Sequence, residues 1–318
     1  MRDRLSDLLV RTCTDDPHVL VLSGDHGYAL FDALRSRHPR HFLNVGVMEQ
    51  GMIGIAAGLA KTGFRPIVYG LSSFVPMRVL EQIKMDLCHA RLPVVLLGDG
   101  AGLVYSTLGA SHQCGEDVAV LRTLPGMTIF TPADEYELEA CFEEALQCDG
   151  PSYVRIGKSD RPRVDAQRPR STAPRHLLGA PPGAPTIIAM GSMSALGHEL
   201  AREFGLGFVS VLRVKPLHRD LIEIAARAAG DGQPVIVLEE HARSGGLASA
   251  IGDALIDAGR PVPRMRVCSL KDKFVESCGT YQHALSEHEL SDAQIRGTVA
   301  ELAANCQPGM KGNRGRGS

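Results

Sequence analysis

The chain has 318 residues, 44% of them apolar and 22% charged, with a formal net charge of −2 at pH 7. Such a length suggests two domains of ordinary size, and the composition excludes disorder over most of the chain. The near-neutral charge argues against an electrostatic nucleic-acid binder. No apolar run approaches the roughly 18 residues of a membrane helix. Charges interrupt the start, MRDRLSDLL, where a secretory signal would have its apolar core. Eight cysteines without a CxxC pair argue against a zinc site. They read as reduced thiols in a cytoplasmic compartment.

In chain order, short β-branched runs alternate with longer helical stretches. Strands are expected at 18–23, 42–46, 65–70, 93–98, 127–131 and 152–156, and helices at 28–36, 48–62, 75–90, 116–123 and 134–147. Nearly all-apolar strands separated by helices indicate a mostly parallel sheet covered on both faces. Residues 158–184 hold five prolines and five arginines without periodicity and read as an interdomain linker, or alternatively as a basic docking arm. A second α/β block follows, with strands at 185–190, 207–213, 234–238 and 264–269 and helices at 194–203, 218–229, 245–258 and 291–304. The expected fold is therefore α/β, two doubly wound domains with mostly parallel sheets, covering 1–157 and 185–305. A disordered tail is expected from 306 to 318. No internal repeat of fixed period is visible.

Open parallel sheets bind ligands beyond the carboxyl ends of their strands. Asp25-His26, Glu49, Phe74, the loop 99–115 with His112, and Arg155 fall there. Taken singly, each has an ordinary structural reading. Glu49 suits the first turn of a helix, Phe74 a core, His112 and His26 a loop, and Arg155 a surface ion pair. Gly98-Asp99-Gly100-Ala101-Gly102 hints at a phosphate loop, but neither GxxxxGK[ST] nor GxGxxG spacing occurs. Glu239 and Glu240 are adjacent on a strand end and point to opposite faces, which argues against a shared acid–base task.

The segment from Asn44 through Glu49 to Ala60 resembles the catalytic-glutamate helix of the pyrimidine-binding domain in the transketolase family of thiamine diphosphate enzymes. The resemblance continues through Ser72-Ser73-Phe74, Leu108-Gly109-Ala110-Ser111-His112-Gln113 and Leu121-Arg122-Thr123-Leu124-Pro125-Gly126-Met127. It resumes with Glu239-Glu240-His241, Ser244-Gly245-Gly246-Leu247, Lys273-Phe274 and Ser277-Cys278-Gly279-Thr280. The ordered set covers residues 5 to 304.

The resemblance implies a pyrimidine-binding domain followed by a transketolase C-terminal domain. It implies that Glu49 hydrogen-bonds a pyrimidine nitrogen of the cofactor, favouring the imino tautomer that takes the thiazolium proton. It assigns Phe74 to stacking on the pyrimidine, with Asp25 beside the cofactor. His112 becomes a substrate-facing proton carrier, and Arg155 the holder of a substrate phosphate. Three positions depart from the family. Leu108 stands where transketolases usually have an aspartate, and Gly100 where a histidine is frequent. Leu108 cannot accept a bond from a substrate hydroxyl, which argues against ordinary pentose phosphates and allows a less hydroxylated or differently shaped substrate. His26 replaces a leucine and is a candidate for added proton transfer, or a loop histidine turned to solvent.

In the family, Mg²⁺ and the diphosphate are held by a GDG motif with an asparagine about 25–30 residues later. GDG occurs at 98–100 and 230–232, but asparagine only at 44, 305 and 313. The resemblance therefore implies a split enzyme. A separate diphosphate-binding subunit would carry Mg²⁺ and the diphosphate in an α2β2 heterotetramer. The apolar helix 51–60 is a candidate interface, or ordinary intradomain packing. The implied activity is transfer of a two-carbon ketol or acyl unit from a ketose or 2-oxo acid to an aldehyde or ketone. Alternatives are the beta subunit of a 2-oxo acid dehydrogenase, a deoxyxylulose phosphate synthase relative, and a non-catalytic regulatory subunit.

Overall fold

Runs such as PVVLLG and TIIAM carry no polar face. In the computed structural model, which describes residues 1–306, they become strands covered on both sides. The first half runs α1 (Arg2–Asp15), β1 (Val19–Ser23), α2 (Asp32–Arg37), β2 (Phe42–Asn44), α3 (Glu49–Lys61) and β3 (Arg65–Leu71). A 3-10 turn (Met77–Val79) then leads through α4 (Leu80–Gln82) into a π-helical stretch (Ile83–Cys88), where a single α-helix was expected. β4 (Val95–Asp99), α5 (Asp117–Arg122), β5 (Thr128–Phe130), α6 (Glu135–Leu146) and β6 (Ser152–Ile156) complete it.

The second half runs β7 (Arg175–Leu178), β8 (Thr186–Met190), α7 (Met193–Phe204), β9 (Gly207–Val211), β10 (Arg213–Lys215) and α8 (Arg219–Gly230). It ends with β11 (Val235–Ala242), α9 (Leu247–Asp257), β12 (Met265–Leu270), α10 (Tyr281–Glu287) and α11 (Asp292–Cys306). The α/β architecture and mostly parallel sheets are as expected from the sequence. Cys306 closes α11, and the rest of the expected tail lies outside the described residues. Among the described residues no helix is long and apolar enough to cross a membrane.

A seven-stranded sheet has the order β10-β5-β6-β4-β3-β1-β2 and a five-stranded sheet the order β12-β11-β8-β9-β7. The first contains a strand from the second half, since β10 pairs antiparallel with β5. One buried cluster also runs from Met52 and Ile53 of α3 through Val118 and Leu121 of α5 to Leu221 of α8 and Ile251 of α9. The halves thus share a hydrophobic core.

The stretch expected to be a free linker is docked and partly a strand. β7 pairs antiparallel with β9. Asp134, the N-cap of α6, accepts from Tyr136 and Glu137 N–H in its own helix at 2.9 Å and from Val164 N–H at 2.9 Å. Arg163 pairs with Glu135, Arg168 with Glu139 at 3.2 Å, and Arg175 with Glu137 at 3.3 Å. Three arginines of this segment therefore meet acids of their own chain's α6, while Arg161 pairs with Asp292 of α11.

Candidate active site

The carboxyl ends of β1, β2, β3 and β4 converge on one side of the seven-stranded sheet, and each contributes a turn. After β1, Asp25 takes a left-handed conformation (φ 65°), and the Ser23 hydroxyl donates to the His26 carbonyl at 2.9 Å. After β2, Asn44 donates to Asp25 at 3.3 Å and accepts from the Gly46 N–H at 2.9 Å. This bends the chain into α3, whose first residue is Glu49. Its carboxylate sits at the positive end of a thirteen-residue helix, where an anion is stabilised. After β3, the Ser72 N–H donates to the Asp99 carbonyl at 2.8 Å, and the next turn presents Phe74.

Phe74 is the hub. Its ring centre lies 5.6 Å from that of His26 and 5.3 Å from that of His112. The guanidinium of Arg78 lies over the same ring, 4.0 Å from its centroid. The same group reaches Glu49, with Nη1 at 3.3 Å from both carboxylate oxygens. Glu49 is only 4% exposed, so Arg78 offsets a charge that would be costly to bury alone. Burial pushes the His26 imidazole below its ordinary value, as do the neighbouring Arg78 and His112, while Glu49 and Asp25 pull it upward. His26 Nδ1 is buried and has no hydrogen-bond partner among the described residues. His112 Nδ1 meets the Ser111 hydroxyl at 3.0 Å. Leu108 ends a 3-10 turn in the same loop and is 53% exposed.

These residues fit a planar nitrogen heterocycle. Phe74 offers a flat face, and Glu49 already takes a planar N–H donor beside it. The orphaned Nδ1 of His26 is a polar atom awaiting a partner.

The structure brings Glu49, Phe74, His26 and His112 together, with Asp25 at the rim, and places Arg155 in a buried ion pair with Asp117. Arg155 is 2% exposed and Asp117 fully buried. Arg155 Nε donates to both Asp117 oxygens at 3.0 and 2.9 Å, and Nη2 to the Glu240 carbonyl of β11 at 2.9 Å. Burial disfavours its charge, but Asp117, Tyr153 and Glu240 outweigh that and raise its pKa. With Nε on Asp117 and Nη2 on the Glu240 carbonyl, Arg155 ties the two halves together inside the chain.

Asp117 also accepts from the Tyr153 hydroxyl at 2.8 Å, and Tyr153 in turn reaches Ser72 at 3.2 Å. Glu240 accepts from Leu103 N–H at 2.7 Å and from the hydroxyls of Ser192 and Tyr281 at 2.5 Å each. Glu239 accepts at the start of α9 from Leu247 N–H. The two glutamates thus tie different parts of the chain, as their opposite facing required. The glycines at 98–102 have packing causes. A Cβ on Gly98 would lie 2.2 Å from the Tyr153 hydroxyl oxygen, and one on Gly100 would lie 1.9 Å from the Tyr105 ring.

Arg78 and Asp117 were not singled out from the sequence. Arg78 stands four residues after Phe74, past Pro76 and in a 3-10 turn, and carried no motif of its own. Asp117 gave no signal beyond an acid in a first turn.

Residues 1–163 match the pyrimidine-binding domain family of transketolase. The chain belongs to the transketolase family. It is 32% identical over 87% of its length to the 6-deoxy-6-sulfo-D-fructose transketolase subunit SqwH of Clostridium sp. (strain MSTE9), of which the match covers 86%. It is 31% identical over 86% of its length to a subunit of the apulose-4-phosphate transketolase of Phocaeicola vulgatus, covering 88% of that protein. A solved structure described as a split gene transketolase, inactive beta4 tetramer, superposes with a TM-score of 0.82 at 30% identity, covering 96% of this chain and 99% of the other. The resemblance drawn from Glu49, Phe74 and His112 in order along the chain is therefore upheld at the level of the family and of its split-gene members.

Proposed function

We propose that this chain is the pyrimidine-binding subunit of a split, thiamine diphosphate-dependent ketol transferase. A separate subunit supplies the diphosphate and Mg²⁺ site. The observation that carries this reading is a buried carboxylate, Glu49, at a helix start, beside an aromatic face flanked by two histidines. When bound, thiamine diphosphate supplies the carbanion chemistry that moves the fragment.

The chain's own residues do the rest. Glu49 holds the pyrimidine nitrogen and sets its tautomer. Phe74 stacks on the ring, and Asp25 braces the β1 turn through Asn44. His26, kept neutral by burial, exchanges a proton near the reacting carbon. His112 faces the substrate and donates to the oxygen that gains charge. Leu108, exposed in the same loop, leaves a substrate hydroxyl without an acceptor there. The donor is a ketose or 2-oxo acid and the acceptor an aldehyde or ketone. Relatives named for a sulfosugar and for a sugar phosphate favour an acidic sugar. They also favour ketol transfer over the 2-oxo acid dehydrogenase reading.

In our reading the lobes are residues 1–157 and 185–305, and the assembly is α2β2 in the cytoplasm. Eight unpaired cysteines agree with a reducing compartment. The partner would pack on α3, where Gly54 and Gly58 would have nothing within 4 Å of an added Cβ, and Ile55 is 36% exposed.

Calorimetric titration of thiamine diphosphate with Mg²⁺ into the chain alone and into the reconstituted complex tests the sharing. Binding only in the mixture is expected, and tight binding by this chain alone refutes it. Glu49→Gln should cut turnover of the complex by about 10²–10⁴-fold while leaving assembly intact. Unchanged turnover would leave only a regulatory role for the chain.

A further inference from the structure

Arg78 meets both groups that the proposed function gives to the cofactor's pyrimidine. Its guanidinium lies 4.0 Å from the Phe74 centroid and its Nη1 lies 3.3 Å from each Glu49 oxygen. The geometry points to Arg78 as an internal stand-in for that ring. Its guanidinium covers the stacking face and must swing away before thiamine diphosphate seats. The inference rests on the assignment of Glu49 and Phe74 to the pyrimidine.

Guanidinium and aminopyrimidine are both flat, delocalised and edged with N–H groups. Two flat groups do not share one face at a 4.0 Å separation, because that separation is already a van der Waals contact. His26 and His112 lie beside the same ring, with centroids 5.6 and 5.3 Å away. Glu49 is engaged as well, since Arg78 Nη1 is shared between its two oxygens.

The contact is built to be left. The Arg78 side chain is 46% exposed and springs from the 3-10 turn Met77–Val79, so it moves out by rotation without disturbing a helix. Its bonds to Glu49 are long for a charge-assisted pair. While in place it neutralises a carboxylate that is 4% exposed and would otherwise be a lone buried charge. Cofactor uptake is then an exchange of one planar partner for another.

The test is cofactor binding, not turnover. Thiamine diphosphate with Mg²⁺ is titrated into the complex reconstituted with the diphosphate-binding partner, by calorimetry for affinity and stopped flow for association. For Arg78→Ala, affinity is expected to rise roughly tenfold, the worth of an exposed cation–π contact plus an exposed ion pair. Association should be faster than in the wild type. Arg78→Lys, which keeps the charge near Glu49 but loses the flat stack, should fall between them. Arg78→Ala binding equal to or weaker than the wild type overturns the stand-in and makes Arg78 a holder of Glu49 in the loaded enzyme. A wild-type complex that takes up no thiamine diphosphate overturns the stand-in together with the function it rests on.

Discussion

Replacing Arg155 separates an interior tie from a substrate contact, because the two roles predict opposite readouts. The Arg155 and Asp117 side chains are 2% and 0% exposed. Arg155→Ala removes three hydrogen bonds, two to Asp117 and one to the Glu240 carbonyl. Asp117 keeps the Tyr153 hydroxyl at 2.8 Å and has His241 Nε2 at 3.8 Å. Neither supplies a full positive charge, since burial pushes His241 down to about 4. Removing one partner of a buried pair costs about 3–5 kcal/mol, because the other charge stays in a poorly solvating interior. That is a large share of the roughly 5–15 kcal/mol that holds a typical native protein. Guanidinium chloride unfolding of the full chain, followed by far-ultraviolet circular dichroism, should show this loss as a lower midpoint. Combining Arg155→Met with Asp117→Leu should recover much of it, since a well-packed apolar pair carries no desolvation cost. If Arg155→Ala stayed within about 1 kcal/mol of the wild type while KM of the reconstituted enzyme rose, Arg155 would be a substrate ligand and the interior assignment would be wrong.

Three further outcomes follow from neighbouring features. Gly98→Ala would set a Cβ 2.2 Å from the Tyr153 hydroxyl oxygen, pushing Tyr153 off Asp117 at a cost of about 1–3 kcal/mol by equilibrium unfolding; wild-type stability would show that Tyr153 has room to move. His241 is fully buried, its Nε2 accepting from Ala119 N–H at 3.3 Å and its Nδ1 facing the Ala242 carbonyl at 2.7 Å, so it folds as the neutral tautomer. Burial lowers its pKa from 6.5 to about 4. Its contribution is therefore complete above pH 6.5 and is lost as pH falls toward 4, because the unfolded chain then binds the extra proton. His241→Gln should flatten that window by roughly 3 kcal/mol, and an unchanged pH profile of stability would refute the neutral assignment. Ile55→Asp should abolish assembly with the partner by light scattering while leaving circular dichroism unchanged; normal assembly would move the interface off α3.

How much of this could be read from the chain depends on whether the cause is local. β4, β8 and β11 announce themselves because both faces are buried, leaving apolar runs that few other structures use. α1 carried a legible stripe in Leu5, Leu8, Leu9 and Cys13, all buried, although its charges draw attention first as an argument against a leader. β10 and β7 had no such signal. Each is three or four residues long, with a basic residue at its start, and a strand only because a neighbour offers a free edge. Arg163, Arg168 and Arg175 read as solvated charge because the acids of α6 that receive them lie at least 25 residues away.

The same limit acts inside the site. Glu49, Phe74 and His112 were legible through motif order, since the chemistry fixes both their types and their sequence. Arg155 fitted that order equally well, yet its buried partners were not legible. An ordered motif locates a residue along a strand; it does not say where the side chain's partners are. Asp117 is the partner that holds Arg155, and in sequence it is one more acid at the start of a short helix. Arg78 is the converse case, a cation with no motif that lands on both Glu49 and Phe74. What distinguishes the two arginines is burial. Arg155 is engaged inside the chain, whereas Arg78 stays 46% exposed against a pair of groups that a planar ligand also wants. An arginine held so loosely at such a place is one that exchange can remove, and the affinity of Arg78→Ala for thiamine diphosphate measures that exchange directly.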